Sequence, residues 1–264
     1  MAADPALALV VAHAPRARTR TLVRGALARR SAHLAVTRSM DALDARLRGA
    51  LVDAVVVDLG AVGGEPLAAA ARSREFPSVA FVAVSPFRSV DAPAIARCAE
   101  HGVADVLADG VDDALMRATL ARHGFRSRFA RAFAEPPPVL GLDDPLHRRV
   151  WSAIVVRVGN AVRTEALAGA LRVTREHLSR SVARTPARSL KRVVDLVRLL
   201  AAAELAKNPG YDVNDVARIL RWTSIGGLDA TCRRLVGRPA TSLSRLRAVD
   251  LVERYATLVS AKAL

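Results

Sequence analysis

Along the first 125 residues, short apolar runs alternate with longer mixed stretches. The runs are ALALVVA (6–12), HLAVTR (33–38), AVVVDL (54–59), SVAFVAVS (78–85) and VADVLA (103–108). They are continuous rather than alternating apolar and polar, the pattern of parallel strands covered on both faces. Between them RTRTLVRGALARR, MDALDARLRGA, PLAAAARSREF and DAPAIARCAEHG can each form a helix. Five such strand–helix units predict a doubly wound, five-stranded parallel α/β domain over 1–125.

The pattern breaks after residue 125. Pro136, Pro137 and Pro138 cannot occupy a helix interior, so 126–145 reads as a semi-rigid linker. From residue 146 to 264 apolar positions recur at helical spacing with no strand signal, which predicts an all-α domain. Within it, TEALAGALRVTREHLSRSVAR (164–184) reads as a helix capped by Thr164, a turn at Arg172–Val173 and a second helix capped by Thr174. NDVARILRWTSIGGLDATCRRLVG (214–237) repeats the pattern, with Asn214 and Thr223 as caps. Ala168 and Ala217 are small enough for a close helix crossing, and Leu178 and Leu228 anchor the second helices. Each segment is a helix–turn–helix, and two copies in one domain are more specific than one.

Composition narrows the classes. With 52% hydrophobic residues, the chain of 264 can bury a sizeable core. No apolar run reaches the roughly 18–20 residues of a membrane span. MAADPALALVVAHAPRAR has no basic region before its apolar stretch and is a poor signal peptide. Cys98 and Cys232 lie far apart, outside any CxxC or His-rich cluster, which argues against a metal site or disulfide framework and for a reducing cytoplasm. The net charge is +15, unevenly placed: residues 1–125 carry 15 basic against 13 acidic side chains, and 126–264 carry 25 against 12. Arginine-rich codon usage explains the choice of Arg but not its concentration in one half. A localised basic excess points to a polyanion, most often nucleic acid.

The helical half resembles the DNA-binding domain of AraC-type transcription regulators, which has two helix–turn–helix units bridged by a helix. Matching residues are Leu167-Ala168 and Leu171, then Thr174, Leu178 and Arg180, and Thr185-Pro186 in place of Ser-Pro. Arg198-Leu199 with Ala202 fits the bridging helix, and Val216-Ala217 with Leu220-Arg221-Trp222-Thr223-Ser224 fits the second unit. The resemblance implies that Glu176, Ser179 and Arg180 face DNA bases: Arg180 can fork onto guanine, and Glu176 can accept from a cytosine amino group. Arg172, Arg175 and Arg184 are candidate phosphate contacts. In the second unit the base-facing positions read Ile225, Gly226, Gly227, Asp229 and Ala230, so it is expected to hold phosphates through Arg233, Arg234 and Arg238 and to read few bases. Trp151 and Trp222 read as core residues. The plain alternative for the charged positions is a solvated helix face.

The N-terminal half has the flavodoxin-like pattern and resembles the receiver domain of response regulators. That family ends its first strand in an acidic pair, its third in a phosphorylated Asp, its fourth in Thr or Ser and its fifth in Lys. Here the corresponding residues are Ala12-His13, Asp58, Ser85 and Asp109. Phosphoryl transfer to a carboxylate needs a divalent cation to neutralise developing charge, and Mg²⁺ wants more than one carboxylate oxygen. The resemblance therefore implies a degenerate receiver whose Asp58 is not phosphorylated. A His13 ion pair with Asp58 or Asp109 would replace the metal.

Together these features predict a bacterial, cytoplasmic, nucleoid-associated transcription regulator that binds double-stranded DNA mainly through its first helix–turn–helix. The receiver-like domain would serve dimerisation or protein contacts. Expected partners are DNA, a second copy of the chain and other regulatory proteins, with no membrane; no cofactor, metal or catalytic residue is expected. The alternative is an interaction protein whose basic helical domain docks an acidic partner.

Overall fold

The computed structural model describes residues 8–27, 32–160 and 162–261. The N-terminal segment tested for a leader, the start of the first apolar run and the end of RTRTLVRGALARR lie partly outside these residues. The chain divides into two compact units: one reaches to Arg128 and takes in Asn208–Tyr211, and the other runs from Phe129 to Lys207 and onward from Asp212.

The first unit holds β1 (Ala8–His13), α1 (Ala17–Ala26), β2 (Ala32–Thr37), α2 (Met40–Gly49), β3 (Ala54–Asp58), α3 (Glu65–Ala71), β4 (Ala80–Ser85), α4 (Ala92–His101), β5 (Asp105–Ala108), α5 (Met116–His123) and α6 (Phe125–Ala132), whose last residues pass into the second unit. The five strands are all parallel, in the order β2-β1-β3-β4-β5. This is the doubly wound fold predicted from the uninterrupted apolar runs. Val10, Ala54 and Ala80 align across three strands, and with Val23, Val56, Val82, Met116 and Leu120 they form one core layer. β3 lies in the middle of the sheet and is buried along its whole length. Its last residue, Asp58, is therefore delivered to the carboxyl edge of the sheet with no exposure to water.

The predicted linker begins in ordered structure. Residues 125–132 are helical, and Pro138–Leu140 form a single 3-10 turn. Alternating Phe, Arg and Ala allowed both helix and loop, and Phe129 against Phe133, with ring centroids 4.6 Å apart, selects the helix.

The second unit continues with α7 (Pro145–Val155), α8 (Thr164–Leu171), α9 (Arg175–Ala183), α10 (Leu190–Ala206), α11 (Val213–Ile219), α12 (Ile225–Val236) and α13 (Ala248–Ala261). The repeat seen in the sequence is longer than two helices. Arg149 on α7 donates to the Leu171 carbonyl, and Arg198 on α10 donates to the Leu220 carbonyl, 49 residues later. Arg172 and Arg221 take left-handed backbone conformations, with φ of 57° and 59°. The next amide then closes each turn onto the small residue of the first helix, Val173 to Ala168 (3.1 Å) and Trp222 to Ala217 (2.9 Å). Each repeat is thus three helices, α7-α8-α9 and α10-α11-α12.

The caps differ in part from expectation. Thr174 caps α9, accepting from the His177 amide, but α8 starts after Arg163, which makes no side-chain cap. Asp212 rather than Asn214 caps α11, in a capping box with Asp215. Ser224 rather than Thr223 caps α12 because the second turn is one residue longer. Gly226 and Gly227 therefore sit in a first turn rather than a helix interior, with the Gly227 amide bonded to Ser224 Oγ. Trp151 is core, and its indole donates to the Phe133 carbonyl. Trp222 is only half-buried and instead carries the Arg198 guanidinium 3.9 Å above its ring.

Asp195 on α10 organises the second repeat. Only 3% exposed, it accepts from Lys191 Nζ (2.8 Å) and Arg234 Nη2 (2.7 Å), with Arg198 at 3.7 Å. Removing a buried charge from such a cluster costs about 3–5 kcal/mol where partners are buried, and less where they reach water as Lys191 does. Asp195→Ala is expected to lower stability by about 2–4 kcal/mol, measured as a fall in the urea midpoint.

Candidate functional site

The exposed face of α9 starts from its caps. Thr174 fixes the first turn, and Leu178 and Val182, one helical turn apart, are fully buried. At about 100° per residue, Glu176 and Arg180 lie opposite that apolar line, with Ser179 beside them. All three are exposed. Arg172 and Arg184 flank the same face and are also exposed, and among the described residues the side chains of Arg172, Arg180 and Arg184 make no hydrogen bond or ion pair. Arg175 pairs with Glu165 at 3.1 Å, but both side chains are more than 60% exposed, so the pair is weak and readily exchanged.

The equivalent face of α12 is differently equipped. Arg233 Nε lies 2.7 Å from Asp229 Oδ2, and Arg234 is held by Asp195. Asp229 also accepts from the Ala240 amide at 2.8 Å, and that bond, followed by Arg233, holds its carboxyl below the usual pKa. Of the three second-unit arginines named above, Arg238 keeps a side chain without a partner among the described residues. The start of α12 presents Ile225, Gly226 and Gly227, which offer no side-chain donor. Arg184 and Arg234 occupy corresponding places in the two repeats. Where α10 has Asp195, α7 has Leu146, so only the first repeat leaves this arginine uncommitted.

At the carboxyl edge of the sheet, Asp58 and Asp109 are brought together by Arg16, a residue that the sequence reading did not single out. Arg16 Nε donates to Asp58 Oδ1 (2.7 Å) and Nη1 to Asp109 Oδ2 (3.1 Å). Its backbone amide points to Asp58 Oδ2 (3.3 Å). The Arg16 pKa is raised, first of all by the bond to Asp58. Arg18 adds a second cation on Asp109, at 2.5 Å. The Asp58 side chain is fully buried and that of Asp109 is 6% exposed, so Arg16 and Arg18 together neutralise two carboxylates largely removed from water. A Cβ on Gly60 would lie 2.4 Å from Arg16 Cζ, which makes this glycine the space into which the guanidinium fits.

The expected His13 ion pair is not formed. His13 Nδ1 meets Thr37 Oγ1 at 3.2 Å, its Nε2 is buried without a partner among the described residues, and Arg16 takes the place assigned to it. Arg16 reaches both acids from the loop after β1 on a long flexible side chain, whereas the His13 ring, on the strand, is turned to β2. Ser85 is also drawn away. Its Oγ lies 3.3 Å from Asp91 Oδ2 and accepts from the Phe87 amide at 3.0 Å, at the start of the α4 region. Among the described residues no group of three His, Cys, Asp or Glu side chains is arranged to hold a metal ion, and no helix is long and apolar enough to cross a membrane.

No family model matches the chain, and no curated protein does. Full-length FixJ from B. japonicum is similar in structure, at 16% identity and a TM-score of 0.35, over 70% of this chain and 93% of that one. The fold assignment rests on the strand order, and nothing about activity is taken from that overlap.

Two variants test the Arg16 bridge. Arg16→Ala leaves the fully buried Asp58 without its cation, while Arg18 stays on Asp109, and is expected to cost about 3–5 kcal/mol in urea unfolding. Gly60→Ala should destabilise the wild type by displacing the guanidinium, yet cost little in the Arg16→Ala background, a coupling that a double-mutant cycle reads directly.

A third variant concerns pH. Burial lowers the His13 pKa below its usual 6.5, opposed by nearby Glu65 and then Asp58. The unfolded chain then binds a proton that the folded chain resists, so stability is full above about pH 6.5 and declines below it. His13→Asn, which keeps an amide for Thr37, should flatten the urea midpoint between pH 7 and 5 relative to wild type.

Proposed function

We propose that this chain is a DNA-binding transcription regulator of the AraC type, reading double-stranded DNA mainly through α9. One observation carries the reading: the arginines on the exposed side of α9 are uncommitted among the described residues, whereas two on α12 are tied to acids, with Arg221 and Arg238 left over beside it. Arg172, Arg180 and Arg184 line the α9 side with no carboxylate partner, while Arg233 and Arg234 are tied to Asp229 and Asp195. Uncommitted arginines around an exposed helix suit a polyanion, and the adjacent Glu176 and Ser179 supply groups able to distinguish bases. Arg238 and the weakly paired Arg175 complete the phosphate-contacting set, and Arg233 and Arg234 would join it only by giving up their carboxylates.

The α/β unit is then a receiver-like module without phosphoryl chemistry. Arg16 sits on the very carboxylate that such chemistry would use, and a tethered cation on Asp58 disfavours both a divalent ion and an incoming phosphoryl group. Dimerisation or contact with another regulatory protein is the role that remains, in a cytoplasmic protein without catalysis. The second reading, a basic domain docking an acidic protein, is favoured by the apolar Ile225 and two glycines at the exposed start of α12.

Selection of bound fragments from a random DNA pool decides between them. A recovered motif with one box per chain supports reading by α9, whereas two boxes per chain a helical turn apart refute the asymmetry. Salt-sensitive binding without sequence preference supports the second reading. Arg180→Ala is expected to cost about 1–3 kcal/mol on the selected site and relax one position. Arg172→Ala and Arg184→Ala should weaken all duplexes alike and reduce the salt slope by about 1 each.

A further inference from the structure

We propose that His147 is a positioning residue that fixes the roll of α9, so that Glu176 and Arg180 are aimed into the groove of the DNA. The inference rests on the reading of α9 as the base-reading helix.

α9 has nine residues, and its two fully buried side chains, Leu178 and Val182, lie along one line. A short helix held along one line resists translation but can roll about it. A roll of about 20° moves a side-chain tip by about 2 Å at the radius of a helix with its side chains. That displacement is enough to lose a paired hydrogen bond to a base.

The roll is stopped from the flank. His147 on α7 is 7% exposed, and its Nε2 lies 2.7 Å from Ser181 Oγ on α9. Its Nδ1 lies 2.9 Å from Asp144 Oδ2, and Asp144 Oδ1 accepts from the His147 backbone amide at 2.8 Å. The imidazole is therefore pinned to the capped start of α7 at one side and grips α9 at the other. It borders an open groove of about 510 Å³ that Glu176, Arg180 and Arg184 also line.

The second repeat provides an internal comparison. At the positions equivalent to His147 and Ser181 it has Leu196, fully buried, and Thr231, whose Oγ1 turns back to the Gly227 carbonyl of its own helix at 2.8 Å. The polar strut belongs to the repeat whose exposed helix carries base-competent side chains. Its sibling, with glycines there, packs an apolar residue instead.

The test compares wild type, His147→Ala, His147→Gln, His147→Asn and Ser181→Ala on the duplex selected from a random pool and on a scrambled duplex. Gln can place its amide near the Nε2 position and keep Ser181, whereas Asn reaches only toward Asp144. His147→Ala and Ser181→Ala are expected to lose about tenfold on the selected duplex, the worth of one hydrogen bond, and under about twofold on the scrambled one. His147→Gln should recover most of the loss and His147→Asn should not. Equal losses on both duplexes, or full selectivity in Ser181→Ala, would overturn the proposal. Hydrogen exchange separates it from the DNA reading: the α9 amides should exchange faster in His147→Ala and Ser181→Ala while those of α8 do not. If wild type selects no sequence, the DNA reading fails, and unchanged α9 exchange then overturns the strut as well. Should His147→Ala fail to fold, Ser181→Ala, at a half-buried helical position, carries both measurements.

Discussion

Asp58 and Asp195 are both removed from water, and each is neutralised by arginine brought from another element. Burying an unpaired carboxylate is too costly for a marginally stable domain, so the positions of these acids dictate where cations must go. In the α/β unit, Arg16 leaves the loop after β1 and ties it to the ends of β3 and β5. In the helical unit, Asp195 collects Lys191, Arg198 and Arg234 and thereby binds α12 to the long helix α10.

The same constraint sorts the basic side chains by role. A net charge of +15 says little about which cations are available to a partner. Once the buried acids have taken theirs, Arg172, Arg180 and Arg184 stay uncommitted around α9 among the described residues, and Arg221 and Arg238 beside α12. The two repeats share the left-handed arginine that opens each turn, carbonyl capping by an arginine and a small residue at the crossing, yet beyond turn length they differ at two linked points. Leu146 stands where the sibling has Asp195, and the His147–Ser181 pair stands where it has Leu196 and Thr231. One repeat has spent its polar groups on internal stability, and the other has kept them for its surface and for the placement of that surface.

Much of this architecture was legible in the residue order. Continuous apolar runs led to a parallel sheet of five strands, whereas the change to helical spacing read at residue 146 falls inside the second unit, which begins at Phe129. The turn residues Arg172–Val173 and the cap Thr174 were legible because they act within a few positions of themselves. Arg16 was not, because its partners lie 42 and 93 residues away and one arginine among forty basic residues carries no mark. A signal was present in combination: an acid in the lysine position of the fifth strand requires a cation from somewhere, and Arg16 lies in the loop three residues after β1. The misplaced cap at Thr223 came from matching the two repeats without the extra residue in the second turn.

The order of residues alone determined the fold class, because continuous apolar runs and apolar spacing at a period of 3.6 are local and cumulative properties. It also confined the excess positive charge to the helical half. Only the tertiary structure decided which charges meet, since ion pairs join residues that the fold, not the chain, makes neighbours. Asp58 thus became an acid closed by Arg16, and His13, expected in that role, became a buried ring against Thr37.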